Sequence, residues 1–199
     1  MRIIAGEWRG RRIEAPKGRN VRPTSDRARE AWMSIVHPRL PGARVLDLYA
    51  GTGALGLEAL SRGAAFADFV EESARTARIL DANIAALGAG PRAAVHRQDA
   101  LRFLAVLERR AGARHGSDPA TDVPFDVAFA DPPYRQGHAL AVADAWRRRP
   151  FARILGIEHE AGLALPGAAD VRRYGDTAVT FYEMTDGRWP VAEGRTAAN

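Results

Sequence analysis

The tetrapeptide Asp131-Pro132-Pro133-Tyr134 combines residue types that can grip a flat ring carrying an amino group. The carboxylate of Asp131 and the carbonyl of Pro132 can accept hydrogen bonds from that amine, and Tyr134 can stack on the ring. The two prolines fix φ and remove two backbone donors, so no local N–H competes for these acceptors. A plain proline turn is the alternative. The four residues together favour a clamp that holds an aromatic amine for a reaction.

The apolar run before the tetrapeptide predicts where this clamp lies. Residues 125–130 read FDVAFA, which is typical of a buried parallel strand. The clamp would then follow the carboxyl end of that strand, which is where open α/β sheets bind ligands.

A glycine turn predicts a second site, for a nucleoside cofactor. Residues 45–49 give another strand signal and run into Gly51 and Gly53, which permit a tight turn before a helix N-terminus. Glu71 ends the next predicted strand, 20 residues after Gly51, and can bind the two hydroxyls of a ribose. A nicotinamide dinucleotide fits these features as well, because a lone Gly-x-Gly-x-x-Gly pattern is a weak signal.

Three further features favour S-adenosylmethionine as that cofactor. Asp47 lies inside the predicted strand, where a carboxylate can receive an ammonium group but would repel a pyrophosphate. Asp99 is predicted to end the third strand, where it can accept the amino group of adenine. No acid suited to hydride transfer stands beside the glycine turn. A helix-capping carboxylate is the alternative for Asp47 and a surface acid for Glu71 and Asp99, so the prediction rests on their joint spacing.

The composition excludes several other chemistries. The chain of 199 residues has no cysteine, which excludes disulfides, thiolate metal sites and a cysteine nucleophile. Lys17 is the only lysine, so the catalytic lysine of a P-loop or Schiff-base enzyme is not available. No stretch approaches the roughly 20 apolar residues of a membrane span, and the N-terminus lacks a signal-peptide region. We therefore expect a cytoplasmic, monomeric protein that uses no metal.

The positive charge is concentrated near the N-terminus. Residues 1–44 hold 11 basic and 4 acidic side chains, a net charge of +7, whereas the rest of the chain has a net charge of −2. A basic segment beside a neutral body suggests a surface that contacts a phosphate backbone. An ordinary solvated basic face is the alternative. The arginines predicted to contact nucleic acid are Arg9, Arg11, Arg12, Arg22, Arg27 and Arg29.

Alternating strand and helix signals predict the fold. Residues 3–13 predict a short hairpin, and Thr24 or Ser25 can cap a helix that carries Trp32 on its buried face. Predicted strands then alternate with predicted helices: strands at 45–49, 66–70, 93–97, 125–130 and 154–158, helices at 54–61, 74–87, 100–110 and 139–149, and a closing strand pair at 171–174 and 178–183. This pattern is typical of an α/β fold with a mostly parallel sheet and helices on both faces.

The same signals divide the chain into three segments. Residues 1–43 would form a basic hairpin-and-helix extension that contacts nucleic acid, residues 44–185 the catalytic domain, and residues 186–199 a flexible tail. Residues 109–124 carry no periodicity and predict a mobile surface loop.

Several blocks resemble the class I methyltransferases of the bacterial 16S ribosomal RNA guanine-N2 family. The blocks are residues 46–64, residues 131–134, the openings at 4–11 and 22–30, and the late segment 173–178. The resemblance covers nearly the whole chain, and the blocks are specific in combination. Segment 109–124 looks longer than is usual in the family, and the segment before the fifth strand lacks the usual Pro-Gly turn.

The resemblance implies a Rossmann-like fold with a seven-stranded sheet and S-adenosylmethionine as cofactor. It implies methylation of the N2 amine of guanine 966 in 16S ribosomal RNA, on a partly assembled small subunit. The residues that would hold the cofactor are Asp47, Gly51, Gly53, Glu71 and Asp99. The clamp at 131–134 would hold the base, and the basic N-terminal residues would meet RNA.

The residues themselves leave alternatives open. An amino-methyltransferase that acts on adenine N6 or cytosine N4 of DNA would share the clamp, although this chain has no room for the target-recognition region of such enzymes. A nicotinamide-linked dehydrogenase would share the glycine turn. An RNA-binding assembly factor would share the fold without catalysis, and the intact clamp argues against it.

Overall fold

The protein is built around one seven-stranded sheet in the computed structural model, which describes residues 1–15, 26–112, 123–134, 137–168 and 170–184. The strands are β1 (Arg44–Leu48), β2 (Phe66–Val70), β3 (Ala93–His96), β4 (Phe125–Ala130), β5 (Ala152–Glu160), β6 (Asp170–Tyr174) and β7 (Thr177–Glu183). Their order in the sheet is β3-β2-β1-β4-β5-β7-β6. Strands β1 to β5 run parallel, and β7 runs antiparallel between β5 and β6. The predicted mostly parallel, Rossmann-like sheet is confirmed.

In the described part of the chain, five α-helices cover the two faces of this sheet. They are α1 (Asp26–Val36), α2 (Ala54–Ser61), α3 (Ala74–Leu87), α4 (Ala100–Gly112) and α5 (His138–Arg148), with short 3-10 turns at His37–Arg39 and Gly90–Arg92. Alternate strand residues point to opposite faces, so Val45 packs with α1, α2 and α3, whereas Leu46 packs with α4 and α5. The two resulting cores make the central strands apolar on both sides. No helix in the described part of the chain is long and apolar enough to cross a membrane.

The register of the parallel strands brings four chain segments to one level at the carboxyl edge of the sheet. The residues paired across β2, β1, β4 and β5 in one row are Val70, Leu48, Ala130 and Ile157. The residues that follow them along the chain are Glu71, Tyr49, Asp131 and Glu158. Three carboxyl side chains and one phenol therefore lie at the same level of the sheet, at its carboxyl edge.

The N-terminal segment packs into the same core as helices α1 to α3. An antiparallel bridge joins Arg2 to Arg12, as the predicted hairpin requires, and Ile3, Trp8 and Ile13 are buried. The core that these residues share with the sheet makes segment 1–15 an integral part of the fold.

Helix α2 holds this N-terminal segment through buried polar contacts. The carboxylate of Glu58, which is fully buried, accepts hydrogen bonds from the backbone N–H groups of Ile4 at 2.7 Å and Ala5 at 2.9 Å. Gly6 has a φ of +84°, and a Cβ there would lie 1.8 Å from the carbonyl oxygen of Ser61. Only glycine allows so close an approach.

The structure changes several predicted boundaries. Strand β5 extends to 152–160, beyond the predicted 154–158, and α4 continues to Gly112, so that residues 109–112 of the predicted loop are helical. Trp32 is a core residue as predicted, with no exposed surface. The predicted caps Thr24 and Ser25, most of the predicted loop and the predicted tail 186–199 lie outside the described residues.

Candidate active site

The turn after β1 is tight, as its two glycines predict. Gly51 has a φ of +57° and Gly53 a φ of +83°, and both values favour glycine. A Cβ on Gly53 would lie 2.4 Å from Cδ1 of Leu80, so a side chain there would force that buried leucine to move. The turn therefore brings the backbone close to α3 and starts α2 at Ala54.

Asp47 lies beneath this turn and is almost completely buried. Its Oδ2 accepts a hydrogen bond of 2.8 Å from the backbone N–H of Gly56, in the first turn of α2. This contact is the one that the helix-capping alternative for Asp47 predicts. Burial raises the pKa of Asp47 well above its usual value, and repulsion from Asp131 and Glu71 adds to the increase. An ionised Asp47 is therefore costly until a positive group comes near it.

Glu71 ties the end of β2 to the glycine turn. Its Oε2 accepts a hydrogen bond of 2.9 Å from the backbone N–H of Gly51, and its Oε1 accepts one of 2.7 Å from Ser73. Burial raises the pKa of Glu71, although these two hydrogen bonds oppose the increase. Each carboxylate oxygen can still accept a second hydrogen bond, as binding to ribose hydroxyls requires.

Asp99 does not end a strand, which corrects the sequence prediction. Strand β3 ends at His96 because the backbone N–H of Gln98 turns back to the carbonyl of His96 at 3.1 Å. Asp99 lies immediately before α4, where its Oδ1 accepts a hydrogen bond of 2.8 Å from the N–H of Arg102. It caps that helix, and its contact with adenine stays a prediction.

The clamp Asp131–Tyr134 follows β4 at the carboxyl edge of the sheet, as predicted. Pro132 is buried, whereas Asp131 and Tyr134 are half-buried. The hydroxyl of Tyr134 donates to Oε1 of Glu158 at 3.1 Å and lies 2.8 Å from Oγ1 of Thr177. Burial raises the pKa of Tyr134 to about 12, so the phenol stays protonated at neutral pH. Two polar contacts on different strands thus hold this ring in one orientation.

A cavity of about 190 Å³ adjoins the clamp. Its lining includes Pro132, Pro133, Tyr134, His138, Leu140, Glu158, His159 and Leu163. Glu158 and His159 are buried at the carboxyl end of β5, and the sequence prediction missed both. The available signal was the polar run Glu158-His159-Glu160 after an apolar strand, because ligands bind at such strand ends.

The predicted RNA-contacting arginines divide into exposed and buried side chains. Residues 5–10 form a turn, the N-terminal turn. Arg9 in this turn and Arg11 and Arg12 after it are exposed, and the guanidinium of Arg11 donates to the carbonyl of Ala86. Arg29 is only 1% exposed and donates to the carbonyl of Arg2 at 2.8 Å. Its prediction as an RNA contact was therefore wrong, because the core encloses the guanidinium. Arg22 and the side chain of Arg27 lie outside the described residues.

One basic side chain near the N-terminal turn was missed. The guanidinium of Arg92 lies 4.9 Å from the ring centroid of Trp8 and donates to Glu7 at 2.8 Å. These contacts place Arg92 against Glu7 and Trp8 without any signal in local sequence. Among the residues that the structure describes, no group of three or more His, Cys, Asp or Glu could hold a metal ion.

The chain matches a known protein family. The model of the family described as Conserved hypothetical protein 95 matches residues 1–183. The chain belongs to this family. The match includes the N-terminal segment, the glycine turn and the clamp, so the whole site described above lies within the family region.

Relatives in this family carry names that refer to ribosomal RNA. Ribosomal RNA small subunit methyltransferase D from Haemophilus influenzae is 36% identical over 190 residues, which cover 92% of both chains. The protein of the same name from Escherichia coli K12 is 41% identical over 137 residues, or 69% of this chain. That match spans 62% of the length of the Escherichia coli protein.

A solved structure shares the fold. The putative methyltransferase YhhF from Escherichia coli has a TM-score of 0.73 and 33% identity, and the match covers 92% of this chain and 96% of the other. These matches confirm the predicted class I methyltransferase fold and the resemblance to a bacterial family of small-subunit ribosomal RNA methyltransferases.

Proposed function

We propose that this protein transfers a methyl group from S-adenosylmethionine to the exocyclic N2 amine of a guanine, position 966, in 16S ribosomal RNA. The proposal rests on one observation: the glycine turn and the clamp begin at the same level of the sheet, on adjacent strands. Tyr49, which begins the turn, and Asp131, which begins the clamp, directly follow the paired residues Leu48 and Ala130. A donor on the turn and a base in the clamp would therefore meet at neighbouring strand ends. The family relatives named as ribosomal RNA methyltransferases support this activity.

The residues around the turn suit S-adenosylmethionine because they are acidic and held apart from bulk water. Asp47 and Glu71 carry raised pKa values through burial, and Asp131 repels Asp47 further. An ammonium and a sulfonium would relieve this repulsion, whereas a pyrophosphate would increase it. S-adenosylmethionine would supply a methyl group that needs no further activation. Gly51 and Gly53 would let it approach the backbone, Glu71 would bind its ribose and Asp99 its adenine.

The clamp would prepare the guanine amine to attack. That amine is a poor nucleophile because its lone pair conjugates with the ring. Asp131 and the carbonyl of Pro132, by accepting its two N–H groups, would favour a pyramidal nitrogen whose lone pair faces the methyl group. Tyr134 would stack on the base in the orientation that Glu158 and Thr177 hold. Most of the rate enhancement would come from this positioning.

As the new N–C bond forms, the bond between sulfur and the methyl group would break and S-adenosylhomocysteine would leave, and the amine must lose one proton. We propose that Asp131 accepts this proton, and the alternative is loss to water after methyl transfer. Proton transfer to a general base in the transition state gives a solvent deuterium isotope effect on the rate, whereas proton loss to water after methyl transfer gives none. The solvent isotope effect on single-turnover methyl transfer therefore separates the two routes.

The substrate RNA would meet the basic N-terminal segment. Arg9, Arg11 and Arg12 are exposed, and residues 1–44 carry the net charge of +7. We infer that a monomer in the cytoplasm binds a partly assembled small subunit through this segment, because exposed arginines provide the electrostatic part of RNA binding.

Methyl transfer from labelled S-adenosylmethionine tests the proposal. The purified protein is incubated with naked 16S RNA, with small subunits at successive assembly stages and with duplex DNA, and the products are digested to nucleosides for mass analysis. The proposal predicts N2-methylguanosine in RNA and no label in DNA. Labelled N6-methyladenine or N4-methylcytosine in DNA would instead support the amino-methyltransferase alternative.

A further inference from the structure

In the reaction described above, Glu158 serves only to hold the ring of Tyr134. The pairing of Ala130 with Ile157 sets Asp131 and Glu158 one residue beyond the same row of the sheet. Adjacent strands lie about 4.8 Å apart, so these two residues are neighbours at the carboxyl edge of the sheet. Both carboxylates contribute to the raised pKa of Tyr134, as their closeness to its hydroxyl requires.

The surroundings of Glu158 are those of a recognition group rather than a surface acid. The residue is only 6% exposed, and it lines the cavity together with Pro132, Pro133 and Tyr134. Its Oε1 accepts a hydrogen bond of 3.1 Å from the hydroxyl of Tyr134. A buried carboxylate is costly unless it is well bonded, and a base stacked on Tyr134 would lie within reach of it.

The chemistry of guanine matches two adjacent carboxylates. Its pairing edge presents the N2 amine next to N1–H, so two neighbouring positions donate hydrogen bonds. Adenine and cytosine present an amine next to a ring nitrogen that accepts. A carboxylate has no hydrogen to donate when ionised, so it attracts N1–H of guanine and repels the ring nitrogen of the other two bases.

We propose that Glu158 accepts N1–H of the target guanine and thereby selects guanine over other amine-bearing bases, while Asp131 holds the N2 amine. This inference rests on the proposed function and adds its specificity-determining residue. A polar group built to pair with one base edge discriminates strongly, because the wrong base leaves that group unpaired.

The test replaces the target guanine of a minimal RNA substrate with 2-aminopurine, which keeps the N2 amine but has an accepting N1. We expect the wild-type protein to methylate guanine roughly tenfold to a hundredfold more efficiently than 2-aminopurine, measured as kcat/KM. Glu158→Gln should reduce this preference to about threefold or less, because the glutamine amide can donate to the accepting N1. The quenching of 2-aminopurine fluorescence gives the binding affinity of each protein independently of methyl transfer.

Two further variants separate base recognition from indirect effects. Tyr134→Phe removes the hydroxyl that bonds Glu158, and we expect it to lower the rate on both bases while the preference for guanine remains. Glu108→Gln changes an exposed glutamate on α4 and should leave rate and preference as in the wild type. If Glu158 only held Tyr134 in place, Glu158→Gln would behave like Tyr134→Phe and the inference would be wrong.

The wild-type measurement decides the case even if Glu158→Gln fails to fold, which thermal melting and S-adenosylhomocysteine binding would reveal. Equal methylation of guanine and 2-aminopurine by the wild-type protein overturns this inference alone. No transfer to either base, on any RNA or assembling subunit, overturns the proposed function and the inference with it.

Discussion

The hydroxyl of Tyr49 lies 2.9 Å from Nδ1 of His138, and the two rings meet edge to face with their centroids 5.5 Å apart. Tyr49 begins the turn after β1, and His138 begins α5, a few residues after the clamp. The φ of Tyr49 is +57°, in the left-handed region that non-glycine residues avoid. This hydrogen bond therefore joins the turn proposed for the methyl donor to the segment proposed for the base.

We predict that Tyr49→Phe lowers the free energy of unfolding by about 1 kcal/mol, the usual net contribution of such a hydrogen bond. Denaturant unfolding measures this loss. In a His138→Leu background the same substitution should cost almost nothing, because the partner is already gone. An equal loss in both backgrounds would show that the bond does not stabilise the protein.

Substitution of Asp47 should separate cofactor binding from stability. Burial raises the pKa of Asp47, so its contribution to stability is present at low pH and is lost as pH rises through the raised value. Asp47→Asn keeps an acceptor for the N–H of Gly56 without a charge. We expect its stability relative to the wild type to increase with pH, while S-adenosylmethionine binds roughly tenfold or more weakly. Denaturant unfolding at several pH values and calorimetric titration measure the two effects.

Asp68 provides the matched control for Asp47. Asp68 is buried, like Asp47. Its carboxylate, however, accepts a hydrogen bond of 3.0 Å from Nη2 of Arg44 and lies 2.7 Å from Nε2 of His96. Asp68→Asn should therefore destabilise the protein. The account of Asp47 is contradicted if the stability of Asp47→Asn relative to the wild type falls as pH rises. It is also contradicted if the variant binds S-adenosylmethionine as tightly as the wild type.

Asn83 should be essential for the stability of the glycine turn. Its side chain, 1% exposed, donates to the carbonyls of Thr52 at 3.0 Å and Glu14 at 3.1 Å, and it accepts the N–H of Glu14 at 2.7 Å. Asn83→Ala leaves these backbone groups without their partner, at a cost of about 3 kcal/mol. Thermal and denaturant unfolding measure this loss of stability. The control is Ser34→Ala at an exposed position, whose free energy of unfolding should stay within about 0.5 kcal/mol of the wild type. A loss no larger than the control's would refute this role.

The exposed arginines of the N-terminal turn should account for part of the salt dependence of RNA binding. Replacing Arg11 and Arg12 by alanine is expected to weaken binding and to reduce the slope of log K against log salt by about 1 per arginine. Filter binding or anisotropy at several salt concentrations measures the slope. Replacing the exposed pair Arg109 and Arg110 on α4 provides the control. If both double variants behave alike, RNA contacts another surface.

Sequence patterns predicted the sheet well because burial on both faces makes its central strands continuously apolar. Strands β2 and β4 have the predicted bounds, and the clamp follows β4 as expected. Asp99 was misplaced because the turn at His96 leaves no apolar signal. Arg29 was misassigned because a helical pattern does not reveal which charged side chain the fold encloses.

Glu158 was missed for a different physical reason. Its contact with Tyr134 joins a residue of β5 to one that lies 24 positions earlier, in the segment after β4, and only the register of β4 and β5 brings them together. Local propensity and spacing act within one element, so they predict strands and turns. They do not predict which strand ends stand side by side, and the specificity of the site depends on that arrangement.

Mass mapping of modified nucleosides in 16S ribosomal RNA, from cells with and without this gene, tests the central claim most directly. We predict that deletion removes a single N2-methylguanosine, at position 966. The wild-type gene should restore it, whereas Asp131→Ala should lower turnover by roughly a hundredfold while the purified variant still binds S-adenosylmethionine. The account would be contradicted if the N2-methylguanosine at position 966 persisted in the deletion strain, or if Asp131→Ala restored it at the wild-type rate.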